Sequence, residues 1–468
     1  MRRTAFVTII CLVALLIISY AVLRLRQSVH TEPNLIIVVL DAARADHVGC
    51  YGYPRPTTPN IDLLAKKSVL FAKHYCQIPV TTPSTASLFT GQHPDTHRVT
   101  YPALEHEEPQ ETMAAVLKRR GFDTALFSST PCASPAMGVG THFEETYYRT
   151  RMPGQGRGFL PESLLLQFKS WLDEHANERF FAYVHFLPPH SPYDQPSDMT
   201  ALFAGVDPPG YDPATLTPGH FEFPVYEKTR RPELAEPPPA PEWLNLYDAN
   251  LRYGDWAVGE VVQMLQTKGL LDNTVLVITA DHGEAFGEHG YIWHSQAIHQ
   301  EVARIPLLIR FPDGRKRQVV DSLTQTIDLF PTVCDFFGIP IPDGVQGASL
   351  LPLIEGKGRR EGAYSITTSL DPRKYMVRTD HSALLLYGDP TWRALYDLET
   401  DPEERRNIIA DRPDEAERLH GMFQQYAETQ PRPPNAFLGG WGAQEETPTK
   451  DGLPAGVKEQ LKALGYVQ

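Results

Sequence analysis

The chain opens with an apolar run from Ala5 to Leu23, broken only by Thr8, Ser19 and Tyr20 and bracketed by Arg2, Arg3, Arg24 and Arg26. As a helix such a run spans roughly 30 Å, the thickness of a hydrocarbon core. It predicts a membrane anchor over residues 1–26, with the amino terminus toward the cytoplasm and the body outside it. Ser19-Tyr20-Ala21 also offers a cleavage site, so a secreted form after signal removal is the alternative. After a link over 27–33, the apolar pattern becomes short and continuous. Leu35 to Leu40 ends in Asp41, Phe180 to Phe186 precedes His190, and Val275 to Thr279 precedes Asp281 and His282. Continuous runs of this length suit strands buried on both faces, as in a parallel sheet covered by helices.

Helical patterns fall between these runs, at Asn60–Lys67, Glu111–Arg120 and Leu246–Lys268. Alternation of strand and helix predicts an α/β catalytic body over 34–356 with a mostly parallel sheet covered by helices. A proline-dense stretch over 191–243 reads as a surface excursion of the lid or substrate-loop kind. Past Lys357 the segments shorten and alternate, predicting a small antiparallel subdomain over 357–427. A proline-rich tail and terminal helix follow over 428–468.

A formal net charge of -14 excludes the basic footprint of a nucleic-acid protein. An anionic substrate must then be held by something local, a metal or a helix terminus. Cys50, Cys76, Cys132 and Cys334 lie outside the first apolar run at spacings that match no metal-binding pair. One or two disulfides and four buried thiols are both open readings of them.

Ligands of an open α/β sheet collect beyond the carboxyl ends of its strands, which is where Asp41 and Asp281 fall. Two such carboxylates, one followed by His282, predict a divalent metal site. Oxygen ligands with an imidazole suit Mn²⁺, Zn²⁺ or Mg²⁺ better than Ca²⁺. In "VTTPSTASLFTG" (residues 80–91) Pro83 is ready to open a helix, which makes Thr82 its expected N-cap and leaves Thr81 to face the ion. A hydroxyl on a metal loses its proton readily, so Thr81 is the candidate nucleophile and a fourth metal ligand. Arg44 and Asp46 are expected to brace the loop after the first strand. Glu284 and Glu288 are expected to cap the turn after His282.

The segments "PNLIIVVLDAARADHVGCYGYPRPTTPNIDLLAKKSVLF", "TTPSTASLFTG", "YVHFLPPHSPY", "DNTVLVITADHGEAFGEHG" and "RIPLLIRFP" occur in the order found in the sulfatase family of the alkaline phosphatase superfamily. The chain resembles that family from about Pro33 to Asn407. The resemblance implies an alkaline-phosphatase-like fold and a metal-dependent hydrolase or transferase of sulfuric or phosphoric esters. Pro83, Ser84, Leu88, Thr90 and Gly91 match the family signature. Thr81 stands at the position of the cysteine that becomes formylglycine, and Thr85 replaces the supporting arginine. Asp41 matches the first of an aspartate pair whose second member is here Ala42, and His282 stands where many members carry Asn. His294 and His190 align with histidines placed at the substrate. A Gly-Lys-Trp-His motif of many members is absent, and "ALFSSTPC" lies in that region.

Formylglycine expels sulfate through its second hydroxyl, which threonine lacks; a phosphothreonine, in contrast, can be opened by attack at phosphorus. The expectation is therefore a membrane-tethered, metal-dependent hydrolase or transferase acting on phosphoric esters or diesters through Thr81, with His294 and His190 at the substrate. The substrate class is an anionic ester, for which a lipid head group or an envelope glycan fits the location. A sulfatase with an atypical nucleophile is the alternative, and a binding protein on the same fold the second alternative.

Overall fold

The computed structural model describes residues 32–99, 111–148, 160–191, 193, 195–209, 240–290, 292–294, 297–315, 317–366, 374–387 and 393–430. The apolar run over 5–23, most of the proline-dense excursion and the tail past 430 lie outside them. Among the described residues no helix is long and apolar enough to cross a membrane.

Ten strands lie in the catalytic body: β1 (Asn34–Leu40), β2 (Val69–Tyr75), β3 (Asp123–Ser128), β4 (Glu145–Tyr148), β5 (Phe180–Phe186), β6 (Thr274–Ala280), β7 (Ala285–Phe286), β8 (Ile292–Trp293), β9 (Leu307–Arg310) and β10 (Gln318–Gln325). Eight of them form one sheet in the order β10-β2-β9-β6-β1-β5-β3-β4, while β7 and β8 pair separately. Strand β9 runs antiparallel to β2 and β6; the remaining pairings in the sheet are parallel.

Every residue of the central strands β1, β5 and β6 is buried, because successive side chains point to opposite faces and both faces are covered. From β1, Ile36, Val38 and Leu40 pack with helices Pro161–His175 and Ala240–Thr267. Leu35, Ile37 and Val39 pack on the other face with Met113–Arg119 and Leu329–Phe336. Continuous hydrophobicity in these runs is thus the sum of two alternating faces.

A second sheet, β11 (Ala363–Ile366), β12 (Lys374–Arg378), β13 (Ser382–Tyr387) and β14 (Arg393–Asp397), is antiparallel throughout. Helix Pro413–Thr429 lays Leu419, Phe423 and Tyr426 against Val377, Leu384 and Leu386 of it. Cys50, Cys76, Cys132 and Cys334 are all free thiols.

The helix expected to open at Pro83 starts two residues earlier, spanning Thr81–Thr90 with Val80 as its N-cap. Proline is tolerated at the third position because that N–H has no acceptor within the helix either. Thr82 is therefore not the cap: its hydroxyl donates to the Cys132 carbonyl at 2.8 Å and ties the helix to the loop after β3.

Candidate active site

Parallel register assembles the site. Leu40 of β1 pairs with Ala280 of β6, so the residues that follow, Asp41 and Asp281, emerge side by side at the carboxyl edge. On the other flank of β1, Val39 pairs with His185 of β5. Side chains two apart share a face, so His185, Asp41 and Asp281 all point to the side on which helix Thr81–Thr90 packs.

Asp41, Thr81, Asp281 and His282 are all at most 2% exposed. His282 Nε2 lies 3.7 Å from Asp41 Oδ1, 3.5 Å from Asp281 Oδ2 and 3.3 Å from Thr81 Oγ1. His282 Nδ1 donates to the Gly283 carbonyl at 2.8 Å, which fixes the tautomer and turns the Nε2 lone pair toward the carboxylates. Asp281 Oδ1 accepts from the N–H groups of Ala42 (3.1 Å) and His282 (2.9 Å). Its Oδ2, like Asp41 Oδ1, is buried without a hydrogen-bond partner. Asp41, Asp281 and His282 form a group whose ligand atoms lie within 4.8 Å of one another.

Burial and the neighbouring Asp281 push the Asp41 carboxyl up to about 7, against the pull of His190 and His282. Asp281 moves the other way: burial opposes ionisation, but His282, His185 and the two N–H donors outweigh it and hold the group below its ordinary value. Two converging carboxylates with orphaned oxygens, faced by an imidazole lone pair, are the donor set a divalent cation requires.

Thr81 reaches this point because Ser84, one turn on, donates its hydroxyl to the Asp281 carbonyl at 2.6 Å and docks the helix start on the end of β6. The first N–H groups of the helix point the same way, at the positive end of the macrodipole. On the opposite side, His294 and His190 stand with ring centroids 5.1 Å apart, and His294 lies 4.3 Å from the His282 ring. His190 Nδ1 donates to the Ser191 carbonyl, and its backbone N–H is bonded to Asp41 O at 3.0 Å. The structure thus brings Asp41, Thr81, Asp281, His282, His294 and His190 into one place.

Two neighbours of this constellation are not legible as such in the pattern. Glu284 does not cap a turn: fully buried, it accepts from His294 Nδ1 at 2.9 Å. Burial raises its carboxyl to about 7, with His190, His282 and Arg44 pulling it down, while burial drives His294 to about 4 against the pull of Asp281. The second is His185, whose pKa burial lowers to about 4 against the pull of Asp281. Gly283 makes the loop possible, because a Cβ there would fall 2.1 Å from the Glu301 carbonyl oxygen.

Arg44 braces the loop after β1 as expected, with Nε and Nη2 on the two Asp46 oxygens at 3.0 and 2.7 Å. It also binds the Glu284 carbonyl and the Glu288 carboxylate, so Glu288 serves this brace as well as accepting from the Phe286 N–H. Away from the site, His289, His299 and Glu301 also come together. There both nitrogens of His289 are engaged, by Glu301 and the Glu404 carbonyl, and despite burial these acceptors hold its pKa up near 9. That group is a structural clasp to the C-terminal subdomain.

Strand-end carboxylates with an imidazole, a hydroxyl on a helix terminus and a histidine backed by a carboxylate define a metal-dependent ester hydrolase on an α/β sheet. The chain belongs to the sulfatase family: residues 33–339 match the Sulfatase family model, and 287–430 match the model for the N-sulphoglucosamine sulphohydrolase C-terminal region. Among curated relatives it is 27% identical to an ulvan-active sulfatase of Formosa agariphila, over 73% of this chain and 70% of that one. Identity is 24% to an N-acetylglucosamine-6-O-sulfatase of Bacteroides thetaiotaomicron (85% and 86% covered) and 26% to a choline-sulfatase of Rhizobium meliloti (81% and 82%). The fold is shared with a phosphonate monoester hydrolase of Agrobacterium radiobacter, at a TM-score of 0.71 and 23% identity over 85% of this chain and 95% of that one. It is also shared with a protein solved with its substrate D-glucosamine-2-N,6-O-disulfate, at 0.72 and 22% over 86% and 99%.

Proposed function

We propose that this hydrolase acts on phosphoric diesters through Thr81 as a covalent nucleophile, with one divalent cation held by Asp41, Asp281 and His282. The observation that carries the reading is the Thr81 hydroxyl, 3.3 Å from His282 Nε2 at the opening of a helix. The cation, Mn²⁺, Zn²⁺ or Mg²⁺ rather than Ca²⁺, supplies Lewis acidity that lowers the pKa of the hydroxyl and offsets the charge of the ester. Thr81 Oγ attacks phosphorus in line with the leaving alkoxide, forming a phosphothreonine as the ester bond breaks. N–H groups at the head of helix Thr81–Thr90 stabilise the anionic oxygens. His294, its Nδ1 committed to Glu284 and its ring neutral, takes the Thr81 proton on Nε2 as the hydroxyl attacks, passes it to the departing alkoxide, and later takes a proton from the entering water or alcohol. His190 stands beside it on the substrate side. Water then opens the phosphothreonine, or an acceptor alcohol does so in a transfer reaction.

The apolar run over 5–23 supports a tether that holds the catalytic body on the extracytoplasmic side. A membrane lipid head group or an envelope glycan is then within reach. Resistance of the full chain to carbonate extraction from membranes tests the tether.

A second reading, sulfuric ester hydrolysis, is favoured by the curated relatives, which include an ulvan-active sulfatase and a choline-sulfatase. Mass spectrometry separates the two. The metal-loaded protein, quenched during turnover of a nitrophenyl phosphodiester, should carry phosphate on the peptide containing Thr81. Sulfate on that peptide after incubation with an aryl sulfate, with no phosphate adduct from the diester, supports the second reading. No adduct from either substrate removes the covalent role.

A further inference from the structure

His185 is a polar residue near the carboxyl end of a strand otherwise made of apolar side chains and Tyr183, and all seven positions of that strand are buried. Nδ1 is bonded to Tyr183 Oη at 2.9 Å. Nε2 is 3.4 Å from Asp41 Oδ2 and 3.9 Å from Asp281 Oδ2. It forms no hydrogen bond with either, and like Asp41 Oδ1 and Asp281 Oδ2 it is a buried polar atom without a partner. A buried polar atom is costly to leave unpaired, and two of these three, His185 Nε2 and Asp281 Oδ2, lie 3.9 Å apart, while Asp41 turns its orphan Oδ1 toward His282.

Donors that share one cation at bond lengths of about 2.0–2.2 Å stand about 3.0–3.6 Å apart. The 3.4 and 3.9 Å separations of His185 Nε2 fall at and just beyond that range. Asp41 lies between two imidazoles, with Oδ2 toward His185 and Oδ1 toward His282. Ala42, next in sequence, brings no side-chain donor. Its N–H instead holds Asp281 Oδ1, so that Oδ2 is the oxygen facing both rings. Tyr183 completes the arrangement: its hydroxyl, 2.9 Å from Nδ1, fixes the ring and can accept the Nδ1 hydrogen, the tautomer that a metal on Nε2 would select.

We infer that His185 is a further protein ligand of the cation, through Nε2, giving a donor set of two carboxylates and two imidazoles. The inference rests on the reading that Asp41, Asp281 and His282 hold a divalent metal. Two imidazoles move the preference away from Ca²⁺ and Mg²⁺ toward Zn²⁺ and Mn²⁺, with Thr81 at a remaining coordination position.

The test is a crystal structure of the full catalytic chain loaded with Zn²⁺ or Mn²⁺, with anomalous scattering measured at the absorption edge of each metal. The expected peak is bonded to His185 Nε2 at about 2.0–2.2 Å, as well as to His282, Asp41 and Asp281. A peak bonded to the last three but beyond about 3 Å from His185 Nε2 overturns the inference and leaves the three-residue site standing. No peak at these residues overturns both. In solution, His185→Ala and His185→Asn should each weaken Zn²⁺ binding by more than about 100-fold while changing the Mg²⁺ affinity far less. Equal loss for both ions would mark a merely structural residue, and if neither variant folds the anomalous map of the unaltered chain decides.

Discussion

Glu284 Oε1 accepts a hydrogen bond from His294 Nδ1 at 2.9 Å, in a pair whose carboxylate is wholly buried. In the proposed mechanism this bond orients the ring and selects the tautomer that presents Nε2 to the ester. His294→Ala should lower kcat by about 10²–10⁴-fold, the range of a lost proton-transfer group. Glu284→Gln keeps an acceptor for Nδ1 but removes the charge, and Glu284→Leu removes both. A graded loss in kcat, Leu worse than Gln, with KM little changed, is the expected result. Variants with unaltered kcat would show that the pair is only structural.

Thr81 makes no capping bond, since Val80 is the N-cap and offers no side-chain acceptor. Its removal costs no capping energy, but Thr81 is buried and its hydroxyl lies 3.3 Å from His282 Nε2, so Thr81→Ala should destabilise the metal-free protein by about 1–3 kcal/mol. Thr81→Ala should lower turnover of a nitrophenyl phosphodiester by at least about 10³-fold, while Thr81→Ser retains it. Steady-state kinetics alongside equilibrium dialysis of the metal checks both halves: activity lost, metal binding kept.

What could be read in the chain, and what could not, follows from how far each signal reaches. The central strands β1, β5 and β6 show in the pattern because they are buried on both faces, and with them came Asp41, Asp281 and His282 at their carboxyl ends. Strand β9 offers four residues, Leu307–Arg310, and its antiparallel direction depends on pairing partners about thirty and more than two hundred residues away. The helix start at Thr81 was displaced because proline is admissible at any of the first positions, and the Thr82 hydroxyl, instead of accepting as a cap, donates across space to the Cys132 carbonyl. Glu284 looked like a turn residue since its hydrogen-bond partner, His294, lies ten positions on. His185 carried a faint signal, a single histidine in "FFAYVHF", whose meaning needs the register with Val39 and hence with Asp41.

Ala42 adopts a left-handed backbone, φ +63°, to aim its N–H at Asp281 Oδ1. The same residue's carbonyl accepts from the Tyr247 hydroxyl at 2.8 Å, and that hydroxyl accepts from the Arg44 N–H at 2.9 Å. Tyr247→Phe leaves two buried backbone groups unpaired and should destabilise by about 1–3 kcal/mol for each. Ala42→Gly relieves the left-handed strain and should be neutral or stabilising by up to about 1 kcal/mol, whereas Ala42→Val should destabilise. Urea unfolding of the three variants is the measurement.

The Asp41 carboxyl, at about 7 against 3.8 in an ordinary setting, makes the metal-free protein respond to pH in an unusual direction. Between those values the folded chain holds a proton that the unfolded chain has released. The contribution of Asp41 is therefore full below about pH 4 and is lost as pH rises through about 7. Asp281, shifted downward, acts oppositely but below its ordinary 3.8, outside this window. Chelator-treated Asp41→Asn should thus be more stable than the parent at pH 8, and the gap should narrow as pH falls to about 5. Metal binding has the opposite sign, because the cation must displace the same proton. Its apparent affinity should climb with pH, by up to about tenfold per unit, and level off above about 7. Thermal melts of both proteins across pH 5–8, with and without Zn²⁺, measure the two trends together. A stability gap that does not change with pH would show that Asp41 stays ionised in the metal-free fold.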